Sequence, residues 1–279
     1  MIDENLKMLT HMSFKGGTGK TNLNLNLAME YCSIYPDRRV LFIDADPQAN
    51  ASVFVLGEGV LRANINTLKA AIDSNETLDK LILRSPIDSL SNFDILPSNL
   101  KMINLEPILN SRPAKENIFL NYFSKNENFK ILKQYDLIIV DLNPVFSTLN
   151  LNLMLCCNSV IPVINYGCYS SALNYDSLIE TYTDMKKALR VQEDDIKKPV
   201  ILKYRKQDNS KIKLWLDYSQ ENRLQDKCFN QKIKESVHYE NSILFNKPIN
   251  VYLREKRIKT DINSEISTLI KEYELDGLL

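Results

Sequence analysis

Residues 15–21 read Lys-Gly-Gly-Thr-Gly-Lys-Thr, and this glycine-rich segment is the most informative part of the chain. It follows a short apolar run from Met8 to Phe14 and precedes a segment with few helix breakers, so it predicts a strand that turns directly into a helix. Three glycines among four consecutive residues let the backbone turn back and direct its N–H groups inward. Such a nest of amides at a helix N-terminus holds phosphate, whereas the alternative is an ordinary glycine-rich turn. We predict a phosphate loop in which Lys20 contacts the β- and γ-phosphates and the Thr21 hydroxyl binds Mg²⁺.

Two aspartates follow a second apolar run. Residues 39–50 read Arg-Val-Leu-Phe-Ile-Asp-Ala-Asp-Pro-Gln-Ala-Asn, and Val40 to Ile43 is typical of a parallel strand covered on both faces. Asp44 and Asp46 then lie at the carboxyl end of that strand, where ligands bind in open α/β sheets. A single aspartate before proline commonly starts a turn, but two of them behind a buried strand favour a functional role beside the phosphate loop.

A third apolar run ends in another carboxylate. Residues 135–144 read Tyr-Asp-Leu-Ile-Ile-Val-Asp-Leu-Asn-Pro, in which Leu137 to Val140 predicts a buried strand. Asp141 at the end of that strand is then placed to hold Mg²⁺ through a water molecule, as a Walker B carboxylate does.

Together these segments resemble the ParA/MinD family of ATPases, which carry a deviant Walker A box. The general phosphate-loop formula needs glycine where this chain has Phe14, and a second lysine, Lys15, stands before the paired glycines instead. The chain is most similar to short, Soj-type ParA partition ATPases, and the likeness covers about residues 8–248. Two positions depart from the family pattern, since Asn22 replaces a common second threonine and Asn143 replaces a proline.

The resemblance implies a deviant P-loop NTPase fold that binds ATP with Mg²⁺ and slowly hydrolyses ATP to ADP and phosphate. It implies that Lys15 crosses the interface of an ATP-dependent homodimer to the partner's phosphates. Lys20 acts within its own subunit, Asp46 orients or activates the attacking water, and these three are the predicted catalytic residues. The predicted Mg²⁺ ligands are Thr21, Asp44 and Asp141. The predicted nucleotide-binding residues are Lys15, Gly16, Gly17, Thr18, Gly19, Lys20, Thr21 and Asn22.

The rest of the chain indicates a single α/β domain over residues 1–279. Apolar strand-like runs alternate with helix-like segments, which predicts a mostly parallel, doubly wound sheet with helices on both faces. The phosphate loop requires a helix behind it, so Thr21 to Ser33 is predicted helical although its leucines alternate with period two. The five cysteines have no metal-binding or redox spacing, which predicts reduced and mostly buried thiols. Further predicted elements are helices over Asn150–Leu155, Ser170–Leu189 and Lys259–Tyr273, and strands over Ser159–Val163 and Pro199–Lys203.

Charge is unevenly distributed, although Lys plus Arg and Asp plus Glu both number 35. Residues 203–259 hold fourteen basic and seven acidic side chains, an electrostatic footprint that suits DNA phosphates; a set of solvated lysines is the plainer alternative. The resemblance favours DNA, because ParA dimers bind it non-specifically through this half of the chain. However, Glu235 and His238 stand at the positions of this chain where the family's Pro-Arg-Asn-x-Arg run has its arginines. The DNA-binding candidates are Lys232, Lys234, Arg254, Lys256 and Arg257.

These observations predict a cytoplasmic, nucleoid-associated ParA-type ATPase for plasmid or chromosome partition. The resemblance implies that its ATP-bound dimer binds DNA and that a ParB-like centromere-binding protein stimulates hydrolysis. Three alternatives stay open: a cargo-positioning relative, a MinD-like membrane-cycling regulator and a nucleotide-binding scaffold that barely hydrolyses ATP. We expect no membrane binding, because the last twenty residues carry one basic and five acidic side chains, which anionic lipid repels. We also expect no N-terminal helix-turn-helix, because only fourteen residues precede Lys15.

Overall fold

A seven-stranded parallel sheet, with strands in the order β3-β2-β4-β1-β5-β6-β7, forms the centre of the molecule. The computed structural model describes residues 2–191, 194–204 and 212–279. The strands are β1 Met8–Met12, β2 Val40–Asp44, β3 Phe93–Leu96, β4 Leu137–Asp141, β5 Ser159–Asn165, β6 Val200–Tyr204 and β7 Ile233–Lys234. This arrangement confirms the predicted α/β fold and each of the predicted strands to within two residues.

Helices connect the strands and cover both faces of the sheet. They are α1 Lys20–Ile34, α2 Asn50–Leu56, α3 Leu68–Asp73, α4 Leu105–Asn110, α5 Ile118–Phe123, α6 Asn126–Leu132, α7 Thr148–Cys156, α8 Tyr169–Ala188, α9 Lys213–Glu221, α10 Leu224–Lys227, α11 Val237–Leu244, α12 Ile249–Glu255 and α13 Glu265–Leu275. Short 3-10 helices cover Glu58–Arg62, Leu78–Lys80, Leu100–Asn104 and Lys115–Asn117. None of the helices in the described ranges combines the length and the apolar character needed to span a lipid bilayer.

The core consists of two large layers, one on each face of the sheet. Neighbouring residues on one strand contribute to opposite layers, as Leu41 and Phe42 do on β2 and Ile138 and Ile139 do on β4. Since both faces are buried, these strands read as continuous apolar runs rather than as alternating patterns. The five cysteines, all within the described ranges, are free thiols, and all are buried except Cys168, which is half-buried.

The burial of helix α1 on all sides explains why its sequence pattern resembles that of a strand. Every residue from Leu23 to Cys32 is buried, because α1 lies between the sheet and helices α11, α12 and α13. A helix that is buried all round needs no polar face, so its apolar residues lose the 3.6-residue period. The asparagines between the leucines are satisfied by hydrogen bonds: Asn24 binds Asp141, and Asn26 binds the backbone of Asn22.

One predicted helix boundary is wrong. The helix expected over Lys259–Tyr273 begins at Glu265 and extends to Leu275. Asp261 lies before it in a turn, where its carboxylate binds the Lys234 ammonium at 2.7 Å. The Asn263-Ser264 sequence directly before Glu265 favours a turn over a further turn of helix. The predicted apolar face itself is confirmed, since Ile262, Ile266, Leu269 and Ile270 are all buried.

Candidate nucleotide-binding site

The glycine-rich loop joins β1 to α1 and adopts a backbone that glycine permits. Gly17 has φ +69° and Gly19 has φ +97°, in the left-handed region that disfavours other residues. Gly19 immediately precedes Lys20, the first residue of α1, so the free N–H groups of the helix start face the loop. The loop therefore has the fold of an anion nest at a helix N-terminus.

Two side chains of the loop suit a phosphate ligand. The Thr18 hydroxyl is buried and has no hydrogen-bond partner among the described residues. Lys20 is buried, and its Nζ lies 3.5 Å from the Ser13 carbonyl oxygen, which is a long hydrogen bond. Burial lowers the pKa of Lys20, while the carboxylates of Asp141 and Asp46 raise it. A buried cation with so weak a hydrogen bond is placed to bind an anionic oxygen.

Asp141, at the end of β4, is held by hydrogen bonds from α1. Its Oδ2 accepts from Thr21 Oγ1 at 2.7 Å, and its Oδ1 accepts from Asn24 Nδ2 at 2.6 Å. Burial raises the pKa of Asp141 to about 6, although these two hydrogen bonds and the charge of Lys20 act in the opposite direction. Asp141 and Thr21, both predicted to bind Mg²⁺ from the sequence, are thus in direct contact.

The aspartates after β2 have different surroundings. Asp44 pairs in register with Asp141 and accepts hydrogen bonds from Ser52 N at 2.8 Å and Ser52 Oγ at 2.6 Å. Burial and then the Asp141 charge raise the pKa of Asp44 to about 8. Asp46 accepts a hydrogen bond from Gln48 N at 2.9 Å, and burial raises its pKa while Lys20 lowers it.

These contacts bear differently on the two predicted roles. Asp44 anchors the start of α2 through Ser52, and its role in binding Mg²⁺ stays a prediction. Asp46 lies close enough to Lys20 for their charges to interact, as a residue acting on the phosphates must. In the part of the chain that the structure describes, no group of three or more His, Cys, Asp or Glu side chains forms a metal site. Mg²⁺ in phosphate-binding sites takes few protein ligands and uses phosphate and water oxygens for the rest, so Thr21 with Asp141 fits that ion.

Lys15 extends from the glycine-rich loop to the start of α8. Its Nζ lies 2.8 Å from Cys168 Sγ and 3.0 Å from Ser170 Oγ. Burial raises the pKa of the Cys168 thiol, but hydrogen bonds from Lys15 and Ser170 outweigh it and leave the pKa below its usual value. Lys15 is therefore bound within its own subunit in this structure.

The residues that depart from the family pattern have partners of their own. Asn22 accepts hydrogen bonds from Asn26 Nδ2 through both its backbone and side-chain oxygens. Asn143 Oδ1 accepts from Asn150 Nδ2 at 2.8 Å, which fixes the turn after β4 to α7. Phe14 packs edge-to-face against Phe146 with ring centroids 5.6 Å apart. These side chains order the loops around the site.

A cavity of about 330 Å³ adjoins the loop and was not predicted from the sequence. It lies beside Thr18 and Asn22, and its far wall comes from the ends of β6 and β7. Lys203 at the end of β6 borders it and donates a hydrogen bond from Nζ to the Gly17 carbonyl at 2.8 Å. The signal that could have identified Lys203 is the one used for Asp44 and Asp141, namely a polar residue at the carboxyl end of a buried strand.

The basic candidates for DNA contact differ in how far their charges are already paired. Lys234 binds Asp261 at 2.7 Å and Glu265 at 3.3 Å, and Lys232 donates to Gln225 Oε1 at 2.8 Å. Arg254, Lys256 and Arg257 are exposed at the end of α12, where the Lys256 ammonium lies over the Phe245 ring.

A family comparison decides the assignment. The AAA_31 profile, described as an AAA domain, matches residues 6–196, which contain the glycine-rich loop and all three aspartates. The chain belongs to the AAA_31 family. The ParA/MinD-type resemblance inferred from the sequence is confirmed.

Individual relatives agree with this assignment. The chain is 32% identical over 154 residues to the cell division protein PomZ of Myxococcus xanthus, covering 55% of this chain and 44% of PomZ. It is 29% identical over 161 residues to the sporulation initiation inhibitor protein Soj of Bacillus subtilis, covering 56% of each chain. The chain thus spans about half the length of the curated relatives it matches.

The fold is shared with solved structures over nearly the full chain. A plasmid partition protein from Borrelia burgdorferi, determined with bound AMPPNP, superposes with a TM-score of 0.71. The sequences are 20% identical, and the match covers 98% of this chain and 99% of the other. At that identity the likeness establishes the fold.

Proposed function

We propose that the protein is a ParA-type partition ATPase. The observation that carries the proposal is the contact between Thr21 and Asp141 directly behind a loop whose Gly17 and Gly19 hold the left-handed backbone of an anion nest. A hydroxyl and a carboxylate in contact, next to inward-facing amides and a buried lysine, are the groups that bind a nucleoside triphosphate with Mg²⁺. ATP and Mg²⁺ are therefore the proposed ligands.

Each residue of the site then has a distinct task. The loop amides and Lys20 bind and orient the β- and γ-phosphates. Thr21 and Asp141 hold Mg²⁺, which when bound supplies positive charge to the phosphate oxygens. Asp46 orients the attacking water or accepts its proton, a role supported by its charge interaction with Lys20 and by its burial, which raises its pKa above the ordinary value.

The cavity beside Thr18 suits the base of the nucleotide. Its volume of about 330 Å³ lies at the lower end of small-molecule sites. Leu202, Ile233 and Ile266 supply apolar surface for a planar ring, while Lys203 and Glu240 supply polar groups at its border. We place the purine here because the cavity continues directly from the loop that holds the phosphates.

Partition also needs a dimer, DNA and a stimulating partner. The proposed dimer forms face to face, with Lys15 leaving Cys168 and Ser170 to reach the partner subunit's phosphates. The exposed basic end of α12 is the proposed DNA contact, and a ParB-like protein is the proposed activator of hydrolysis. The names of relatives support this interpretation, since they include a ParA family protein from Chlamydia psittaci and the Borrelia plasmid partition protein.

Phosphate release and size-exclusion chromatography of Asp46→Ala test this function. Wild type should release phosphate from ATP only with Mg²⁺, and Asp46→Ala should be about 10²–10⁴ slower because a placed general base is lost. The variant should still bind ATP and accumulate as a dimer. Asp37→Ala, which removes an exposed aspartate near the end of α1, should match wild type. An Asp46→Ala protein that hydrolyses at the wild-type rate would contradict the assignment.

A further inference from the structure

A buried chain of hydrogen bonds runs from the C-terminal helix α13 to Asp141. Tyr273 Oη lies 2.7 Å from His11 Nε2, and His11 Nδ1 lies 2.5 Å from Asn24 Oδ1. Asn24 Nδ2 then donates to Asp141 Oδ1 at 2.6 Å, and Thr21 Oγ1 donates to Asp141 Oδ2 at 2.7 Å. Tyr273, His11 and Asn24 are completely buried, so they exchange no hydrogen bonds with bulk water.

The donors and acceptors of this chain follow one direction. Asp141 can only accept while it is ionised, so Asn24 must present its NH₂ group to Asp141 and its oxygen to His11. That oxygen only accepts, and therefore His11 Nδ1 carries the proton. His11 Nε2 is then an acceptor in the neutral ring, and the Tyr273 hydroxyl donates to it. Burial lowers the pKa of His11 to about 4, which agrees with a neutral imidazole at physiological pH.

The same helix also borders the proposed base cavity. Glu265, the first residue of α13, accepts hydrogen bonds from Lys234 N at 2.9 Å and from Tyr239 Oη at 2.7 Å. Ile266, at the next position, lines the cavity. Tyr273 is fixed two turns further along by stacking on His11 and by contact with Phe229 at a centroid distance of 4.8 Å. One helix thus touches the base cavity at its start and, near its end, the hydrogen-bond chain that leads to the carboxylate of the Mg²⁺ site.

We propose that Asn24, His11 and Tyr273 are positioning residues that orient the Asp141 carboxylate for Mg²⁺. The packing of α13 against α1 would then determine the Mg²⁺ concentration that nucleotide binding requires. This inference rests on the proposed function. Each hydrogen bond restricts the rotation of the next group in the chain. Loss of any one of them leaves a buried donor or acceptor without a partner and allows the Asn24 amide to rotate away from Asp141. Because coupling is reciprocal, nucleotide with Mg²⁺ should in turn hold α13 more firmly.

Calorimetric titration with AMPPNP at a series of Mg²⁺ concentrations tests the proposal without relying on turnover. Asn24→Leu removes the hydrogen bond to the carboxylate and should raise the half-saturating Mg²⁺ concentration about 10-fold. Tyr273→Phe removes one oxygen atom at the far end of the chain and should raise that concentration about 3-fold. His11→Leu should resemble Tyr273→Phe, whereas His11→Gln keeps one donor and one acceptor and should recover most of the wild-type value.

Tyr122→Phe is the matched control. Tyr122 is also buried, and its hydroxyl donates to the Glu76 carbonyl at 2.8 Å on the other face of the sheet. Its loss should lower stability in a similar way and leave the Mg²⁺ requirement unchanged. Wild-type Mg²⁺ requirements in both Tyr273→Phe and Asn24→Leu, with AMPPNP binding intact, would overturn this inference alone. A wild-type protein that binds no AMPPNP at any Mg²⁺ concentration would overturn the proposed function together with it. Tyr273→Phe decides the matter by itself if Asn24→Leu does not fold.

Discussion

Thr21 Oγ1 donates a hydrogen bond to Asp141 Oδ2 across 2.7 Å and so joins the first turn of α1 to the end of β4. The two residues are 120 positions apart in the sequence, and the parallel order β2-β4-β1 brings them together. The carboxyl ends of adjacent parallel strands are where open α/β sheets bind ligands. The contact therefore places the proposed metal-binding groups at the mouth of the phosphate loop.

Lys15→Ala should separate nucleotide binding from dimerisation. Lys15 reaches Cys168 and Ser170 in its own subunit, so its loss should leave ATP affinity of the monomer largely unchanged. The proposed contact across the dimer is charge-assisted, and losing it from each subunit should weaken the dimer by at least about 10-fold. Sedimentation with AMPPNP and Mg²⁺ measures this, with Lys7→Ala as a control at a distant lysine. Equal dimer affinity in wild type and Lys15→Ala would refute the trans role.

His11→Gln should alter how stability depends on acid. The folded protein keeps His11 neutral with a pKa of about 4, whereas the unfolded chain has the ordinary value of about 6.5. Between those values the unfolded state binds a proton that the folded state excludes, so this group's contribution to stability falls as the pH drops from about 6.5 to 4.

The measurement is the difference in unfolding free energy between wild type and His11→Gln. As the pH falls from 7 to 4, wild type should lose about 3 kcal/mol of unfolding free energy relative to His11→Gln. The difference is the quantity to follow because Asp44 and Asp141, whose pKa values are raised, act on both proteins in the opposite direction. Tyr273→Phe keeps the buried imidazole and should retain the wild-type acid response. A difference that stays constant with pH would show that His11 does not titrate as the structure requires.

DNA affinity should depend on the exposed end of α12. In the ATP-bound Asp46→Ala dimer, binding to random-sequence duplex should weaken steeply with salt, by about 0.9 in log affinity per log salt for each phosphate neutralised. Replacing Arg254, Lys256 and Arg257 with alanine should flatten that slope in proportion to the number of phosphates that these side chains neutralise. Lys234→Ala should change it little, because Asp261 and Glu265 already neutralise Lys234. An ATP-bound dimer that does not bind DNA even at low salt would rule out the proposal that the protein acts by binding the nucleoid.

Much of the site could be predicted from the sequence because its signals are local. The glycines and lysines of the loop are contiguous, and Asp44 and Asp141 each end an apolar run that reads as a buried strand. Residues that share the carboxyl edge of one sheet can be grouped without knowing the sheet order. The Mg²⁺ role of Thr21 was predicted from the phosphate-loop motif and that of Asp141 from its place at the end of a strand, and the structure brings the two side chains into contact.

What the sequence could not indicate depends on long-range packing. Asn24, His11 and Tyr273 look like ordinary residues of a helix, a strand and another helix, and only the packing of α13 on α1 aligns them. Lys203 follows the rule of strand ends, but β6 lies far from the phosphate loop in sequence. The predicted start of α13 was wrong because residues 261–264 form a turn, for which the Asn263-Ser264 sequence is suited, before the helix begins at Glu265.

Binding of ATP with Mg²⁺ by the loop at residues 15–21 underlies every other proposed role, and calorimetry on Lys20→Ala tests it without intermediate steps. We expect this variant to lose roughly 10- to 150-fold in affinity for ATP–Mg²⁺, because a charge-assisted contact to the phosphates is removed. Lys69→Ala, at a lysine paired with Asp73 on α3, should bind as wild type does. Equal ATP affinity in wild type and Lys20→Ala would show that the loop does not hold the phosphates.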